Sequence, residues 1–161
     1  MVDSESFREA VGSFATGVTV VTFPSEPPHG LTANAVSSVS LDPPLVLVCI
    51  DHDTESYDLL EAGDVDEYCI NVLAADQQHL GEYFARMTDL EESPFETEAT
   101  TTAVTGAPIL EDSLAYLDCE VWKTVPAGDH TIYVGEVQAL SVLEDEAPGL
   151  TYFRSEWGST A

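Results

Sequence analysis

The sequence predicts a mainly β protein, a closed or nearly closed antiparallel barrel trimmed with a few short helices. Six or seven short segments are dense in β-branched and aliphatic residues, and Pro, Gly, Asp and Ser punctuate them. Only two or three helical patterns occur, with none of the regular strand–helix alternation that a doubly wound sheet needs. At 161 residues the chain has the length of one ordinary domain, and 1–161 is read as such.

The elements follow in order. Ser6-Phe-Arg-Glu9 fits a capping box, and Phe7, Ala10, Val11 and Phe14 fall at helical spacing, so a short amphipathic helix opens the chain. A strand over 18–23, a Pro/Gly turn at 24–30 and a strand over Leu31 to Ser40 form a hairpin. Asp42-Pro-Pro44 then launches a strand over 45–50, whose unbroken apolar character predicts burial on both faces and an interior place in the sheet. Residues 51–67 hold eight acids and no Lys or Arg, around a helix candidate at Ser56–Ala62 that Gly63 ends. Further strands are expected at 68–73, at 114–122, at 131–143 with a bulge near Gly135-Glu136, and at 150–154. A helix is expected at 75–86, and the acidic, Thr-rich 87–106 stretch reads as a long surface loop of the kind that often covers a site.

Charge excludes several functions. Thirty Asp and Glu against four Lys and Arg give −26, yet 44% of residues are hydrophobic, too many for an acidic disordered chain. Such self-repulsion is tolerable where salt shortens the Debye length to about 3 Å, so the surface is read as a halophile's. Four cations cannot neutralise a phosphate backbone, and no nucleic-acid partner is expected. The N-terminal stretch lacks a secretory pattern and no run reaches a membrane span, so a cytoplasmic protein without a membrane partner is expected. Cys49, Cys69 and Cys119 lie apart in strand-like segments without metal-ligand spacing, as buried free thiols do, and no metal site is predicted.

The chain contains no GxGxxG, GxxxxGK[ST], GxSxG or HExxH, which removes P-loop, hydrolase and zincin chemistry. Two segments stand out. Gly30-Leu-Thr-Ala-Asn-Ala-Val-Ser-Ser-Val-Ser40 carries small side chains that let a flat ligand approach the backbone, with Thr32 and Asn34 able to bond a polar heterocycle edge; close packing on another backbone is the alternative. Gly128-Asp-His130 presents an imidazole at a strand mouth, where it could hold a ligand's phosphate or amide, although GD is also a generic turn.

In this order the motifs resemble the flavin reductase family of FMN-binding split barrels, the reductase components of two-component flavin monooxygenases. The resemblance runs through Phe7-Arg-Glu-Ala-Val-Gly-Ser-Phe-Ala-Thr-Gly-Val-Thr-Val-Val-Thr22, Gly30–Cys49, Asn71-Val-Leu-Ala, Gly106-Ala-Pro, Gly128-Asp-His-Thr-Ile132, Gly135-Glu-Val and Leu150-Thr-Tyr-Phe-Arg154. It implies a closed Greek-key split barrel, a homodimer, and an NAD(P)H:flavin oxidoreductase using FMN, or FAD, with NADH or NADPH as substrate and a monooxygenase as possible acceptor. A flavin- or haem-binding protein without turnover on the same barrel is the alternative. The resemblance places the flavin along Thr32, Ala33, Asn34, Ala35 and Ser38. Its phosphate falls near Asp51, His52 and Thr54 and near Phe84, Ala85 and Arg86. His130 falls on the nicotinamide side, as the catalytic residue. Arg154, like Arg86 one of only four cations, is assigned to the cofactor as well. The acids Asp51, Asp53 and Glu55 crowd the phosphate turn and depart from the family pattern.

Overall fold

The first helix begins at Asp3 rather than Ser6. In the computed structural model, which describes residues 1–161, helix α1 spans Ser4–Gly12. The Asp3 carboxylate accepts from the Ser6 amide and hydroxyl, both at 2.8 Å. A carboxylate caps free amides as well as a hydroxyl does and adds favourable charge at the positive helix end, so Asp3 prevails. Phe7 and Val11 lie on α1 and Phe14, expected on the same face, falls just past its end; all three are exposed.

Strands β1 (Thr16–Gly17), β2 (Thr19–Phe23), β3 (His29–Ala33), β4 (Val36–Leu41) and β5 (Pro44–Asp51) follow. Helix α2 (Glu55–Glu61) and strand β6 (Glu67–Val72) come next, then a 3-10 turn, Ala75–Gln77, leading into α3 (Gln78–Phe84). Helix α4 (Pro94–Thr97) and strands β7 (Thr100–Thr101) and β8 (Ile109–Leu110) precede the long pair β9 (Ala115–Ala127) and β10 (His130–Val142). The chain ends with β11 (Leu150–Phe153) and β12 (Glu156–Ser159). No helix is long and apolar enough to cross a membrane.

Seven strands form one antiparallel sheet in the order β3-β2-β6-β9-β10-β5-β4. The expected β2–β3 hairpin is present, with Thr19 opposite Ala33 and Phe23 opposite His29, and β5 is interior, between β10 and β4. Two expectations need correction. The single strand over 31–40 is two strands, because the chain leaves the β2 ladder after Ala33 and joins β5 at Val36. The barrel is not closed by backbone pairing: β3 and β4 are the two edges of the sheet and are not hydrogen-bonded to each other. Asn34 and Ala35 alone connect these edges, and three residue steps reach at most about 11 Å, so the sheet must curl until its ends nearly meet. The mainly β, short-helix architecture is as expected.

The curl encloses Val21, Phe23, Val48, Ile50, Ile70 and Tyr133. A second cluster, Val18, Val20, Leu73, Leu80, Phe84 and Leu150, seats α3 and β11 against the sheet. The 87–106 stretch is more ordered than its composition suggested: Ser93 caps α4, Pro94 begins it, and β7 pairs with β8. Strand β12 carries no clear sequence signal, because Glu156-Trp-Gly-Ser159 lacks a period-two apolar pattern. Its partner β11 holds it through a two-residue turn in which Arg154 (φ 51°) and Ser155 (φ 63°) are both left-handed, the conformation a tight hairpin requires. All three cysteines are free; Cys69 and Cys119 are buried and Cys49 is half-buried.

Candidate active site

A cleft of about 670 Å³ opens where β3, the turn before α2 and the end of α3 meet. Gly30 makes the meeting possible, since a Cβ there would lie 2.7 Å from Cε1 of Phe84 and 3.3 Å from Cζ of Phe95. The Thr32 hydroxyl donates to the Gly81 carbonyl at 2.6 Å and ties β3 to α3. Thr32, His52, Thr54, Phe84, Ala85 and Arg86 all line this cleft, so six of the expected residues come together.

The turn before α2 is built from its own side chains. Asp51 Oδ1 accepts from the Asp53 amide at 2.8 Å, and the Thr54 hydroxyl donates to the Asp51 carbonyl at 2.8 Å while accepting from the Tyr57 amide at 3.2 Å as the cap of α2. His52 fastens this turn to the β9–β10 hairpin: its amide donates to the Asp129 carbonyl at 3.0 Å, and its Nε2 lies 2.9 Å from the Thr131 hydroxyl. Its ring packs on Tyr57 at 4.3 Å.

Three further residues complete the cleft wall: Glu55, one of the acids expected to crowd the phosphate turn, its neighbour Ser56, and His29, which its sequence context does not single out. Glu55 Oε2 is 3.3 Å from Arg86 Nη2 and 3.5 Å from His29 Nδ1, and His29 Nε2 is 2.9 Å from the Ser56 hydroxyl. Burial lowers the His29 pKa against the opposing pull of Glu55, with Arg86 adding to the lowering. Arg86 itself is left-handed, at φ 61°.

Across the Asn34-Ala35 connection lies a second, more apolar groove, lined by Thr16, Asn34, Ala35, Val36, Leu47 and Cys49 among others. Thr16 Oγ1 is the one buried side-chain polar atom without a hydrogen-bond partner. Asn34 is exposed, and its amide bonds to nothing else in the chain. Strand β5 links this groove to the histidine motif: Cys49 donates its amide to the Ala35 carbonyl at 3.1 Å on one side, and Asp51, two residues on, pairs with His130 on the other. Gly128 (φ 67°) turns the hairpin, and His130 Nδ1 lies 2.8 Å from Asp129 Oδ1. That contact holds the Asp129 carboxyl below its ordinary pKa.

Residues 11–161 match the family described as flavin reductase like domain. The chain belongs to that family. It is 37% identical over 140 residues to the NADH-dependent FAD reductase of Streptomyces globisporus, covering 84% of this chain and 74% of the relative. It is 34% identical over 157 residues to the flavin-dependent monooxygenase reductase subunit HsaB of Rhodococcus jostii, covering 97% and 77%. Among solved structures, the S. globisporus NADH:FAD oxidoreductase SgcE6 in complex with NAD and FAD fragments superimposes with a TM-score of 0.87 at 33% identity, covering 100% of this chain and 96% of that one.

Some expected site residues of this flavin-reductase-family chain stand apart from both hollows. Ala33 puts its methyl into the core, and its carbonyl accepts from the Thr19 hydroxyl at 2.7 Å. Ser38 is exposed further along β4, and Asp51 lines neither hollow. Arg154 sits at the β11–β12 turn, its amide bonded to the Gly12 carbonyl at 2.8 Å and its guanidinium 4.8 Å from the Phe153 ring centre. His130 stands at the strand mouth, outside the residues that line the two hollows.

Proposed function

We propose that this chain is an NAD(P)H:flavin oxidoreductase, passing hydride from a nicotinamide to bound FMN or FAD and so supplying reduced flavin to a partner oxygenase. The observation that carries the reading is the buried, unpartnered Thr16 Oγ1, which shares one largely apolar groove beside the Arg86 cleft with the exposed Asn34 amide. Native folds rarely leave a buried hydroxyl unpaired, so the site suits a flat ligand with a polar edge and an anionic tail. The relatives' activities, NADH-dependent FAD reduction and service as a monooxygenase's reductase subunit, agree.

A bound flavin would supply the hydride acceptor, which no side chain can provide. The protein's work is alignment. Asn34, Ala35 and the backbone around Ala33 would hold the polar edge, with Asn34 donating toward charge that develops there. Thr32, His52, Thr54, Phe84, Ala85 and Arg86 would line the tail's path, with Asp51 fixing the turn, and Ser38 and Arg154 lie further out. His130, its Nδ1 engaged by Asp129, keeps Nε2 for a nicotinamide substituent.

The same reading includes one functional domain over 1–161, the curled sheet acting as a split barrel, and a homodimer. Exposed Phe7, Val11 and Phe14, with Leu140 and Val142, offer apolar surface for a second copy. A cytosol rich in salt fits the −26 charge. His130→Ala should raise the KM for NADH about tenfold or more while flavin affinity stays within twofold, as loss of one bond to a charged or polar partner implies. An unchanged KM removes His130 from the nicotinamide site.

A further inference from the structure

We propose that Glu55 is a specificity residue that discriminates against the phosphate of a bound flavin, acting by competing with it for Arg86. The inference rests on the reading above, in which the flavin tail enters the cleft between the α2 turn and Arg86.

Arg86 is one of four cations in the chain. It is held at φ 61°, where a residue with a Cβ is disfavoured and glycine is the default. Keeping an arginine in that conformation makes sense if its side chain is needed at that spot. Its guanidinium is engaged by a carboxylate of the same wall, Glu55 Oε2 at 3.3 Å. The same oxygen lies 3.5 Å from His29 Nδ1, so Glu55 is aimed at the cleft from two sides. No other Lys or Arg lines the cleft to offset it, whereas Asp53 and Asp58 do line it. An incoming phosphate must either displace Glu55 from Arg86 or accept a carboxylate as neighbour. Both cost affinity, and both costs vanish for a flavin that ends in a hydroxyl.

The side chains are largely open to water, 66% for Glu55 and 73% for Arg86, so the effect is modest and salt-sensitive. With a Debye length of about 10 Å at 0.1 M and about 3 Å at 1 M, the penalty should fade in brine. Glu55 thereby sets both the preference between phosphorylated and unphosphorylated flavin and its dependence on salt.

The test is a fluorescence titration of the full chain with FMN and with riboflavin, at the lowest KCl that keeps its circular dichroism native and again in molar KCl. Glu55→Gln should tighten FMN about three- to fivefold at the lower salt, leave riboflavin unchanged, and lose most of the gain in molar KCl. Glu55→Gln made in an Arg86→Gln background should gain clearly less for FMN, since the competition has no object. Unchanged FMN affinity, or equal changes for both flavins, overturns the role of Glu55 while wild-type binding of FMN and riboflavin leaves the flavin reading intact. Wild-type protein that is folded and binds neither flavin overturns both.

Discussion

Replacing Gly135 by alanine should destabilise the fold by about 3 kcal/mol, although alanine in an open strand position stabilises by a few tenths up to about 1 kcal/mol. The reason is the space a methyl would need. A Cβ on Gly135 would sit 2.5 Å from the Tyr68 hydroxyl, 2.9 Å from its Cζ and 2.8 Å from Cys119 Cβ. Tyr68 and Cys119 are both fully buried, and the Tyr68 hydroxyl donates to the Tyr133 carbonyl at 2.9 Å. Neither neighbour is a free chain end, so the ring must move. Overpacking of a core costs about 1–3 kcal/mol, and a buried donor pulled from its acceptor adds about 1–3 kcal/mol. For a chain of this length, 3 kcal/mol lowers Tm by roughly 10 °C, readable by circular dichroism melts in molar KCl. Tyr68→Phe removes the atom of closest approach, so the double variant should lose less than the sum of the single losses. A Gly135→Ala loss below about 0.5 kcal/mol, or strict additivity with Tyr68→Phe, would refute the argument.

Three further outcomes are expected. Asn34→Leu should weaken flavin binding at least about tenfold with little change in Tm, since the amide has no partner in the fold; unchanged affinity in a titration removes Asn34 from the site. His29 is held below its ordinary pKa by burial, so the unfolded chain takes up a proton first as pH falls. Stability should therefore be full above about pH 6.5 and decline as pH falls from there through the folded pKa, and His29→Gln should flatten that part of the curve in denaturant titrations. A thiol reagent at pH 8 should modify at most Cys49 in native protein and all three cysteines in denaturant. Burial pushes the Cys119 thiol up to about 12 and Cys69 higher still, and rapid labelling of two or more native thiols contradicts that packing.

Most strands were readable in the sequence because their side chains follow the period-two or fully apolar patterns of buried sheet. The failures share a physical cause. The division of 31–40 at Asn34-Ala35 leaves no local mark, because it is set by which neighbour each half pairs with, β2 or β5. The register does shift between Val134 and Gly135, near the expected bulge, but the extra residue there is Trp122 of β9 and the extra residue of β10 is Gln138, because pairing with a strand remote in sequence sets which side bulges. The same holds at the site. The Thr32–Asn34 and Gly128–His130 segments are conspicuous by composition and Glu55 stands out as one of three acids crowding the phosphate turn, whereas His29 lies unmarked in a proline-rich turn and the pairing of Glu55 with Arg86 has no local signal. Only folding brings both to Arg86, and the lone unsatisfied hydroxyl of Thr16 is a property of packing that no spacing encodes.

The most direct test of the central claim is NADH and NADPH oxidation by the purified chain in molar KCl, with and without added FMN or FAD, alongside its own visible spectrum. The proposed reductase oxidises the nicotinamide only when flavin is present, at a rate that His130→Ala cuts at sub-saturating nicotinamide. Tight flavin binding with no oxidation, or folded protein that binds no flavin, would contradict it.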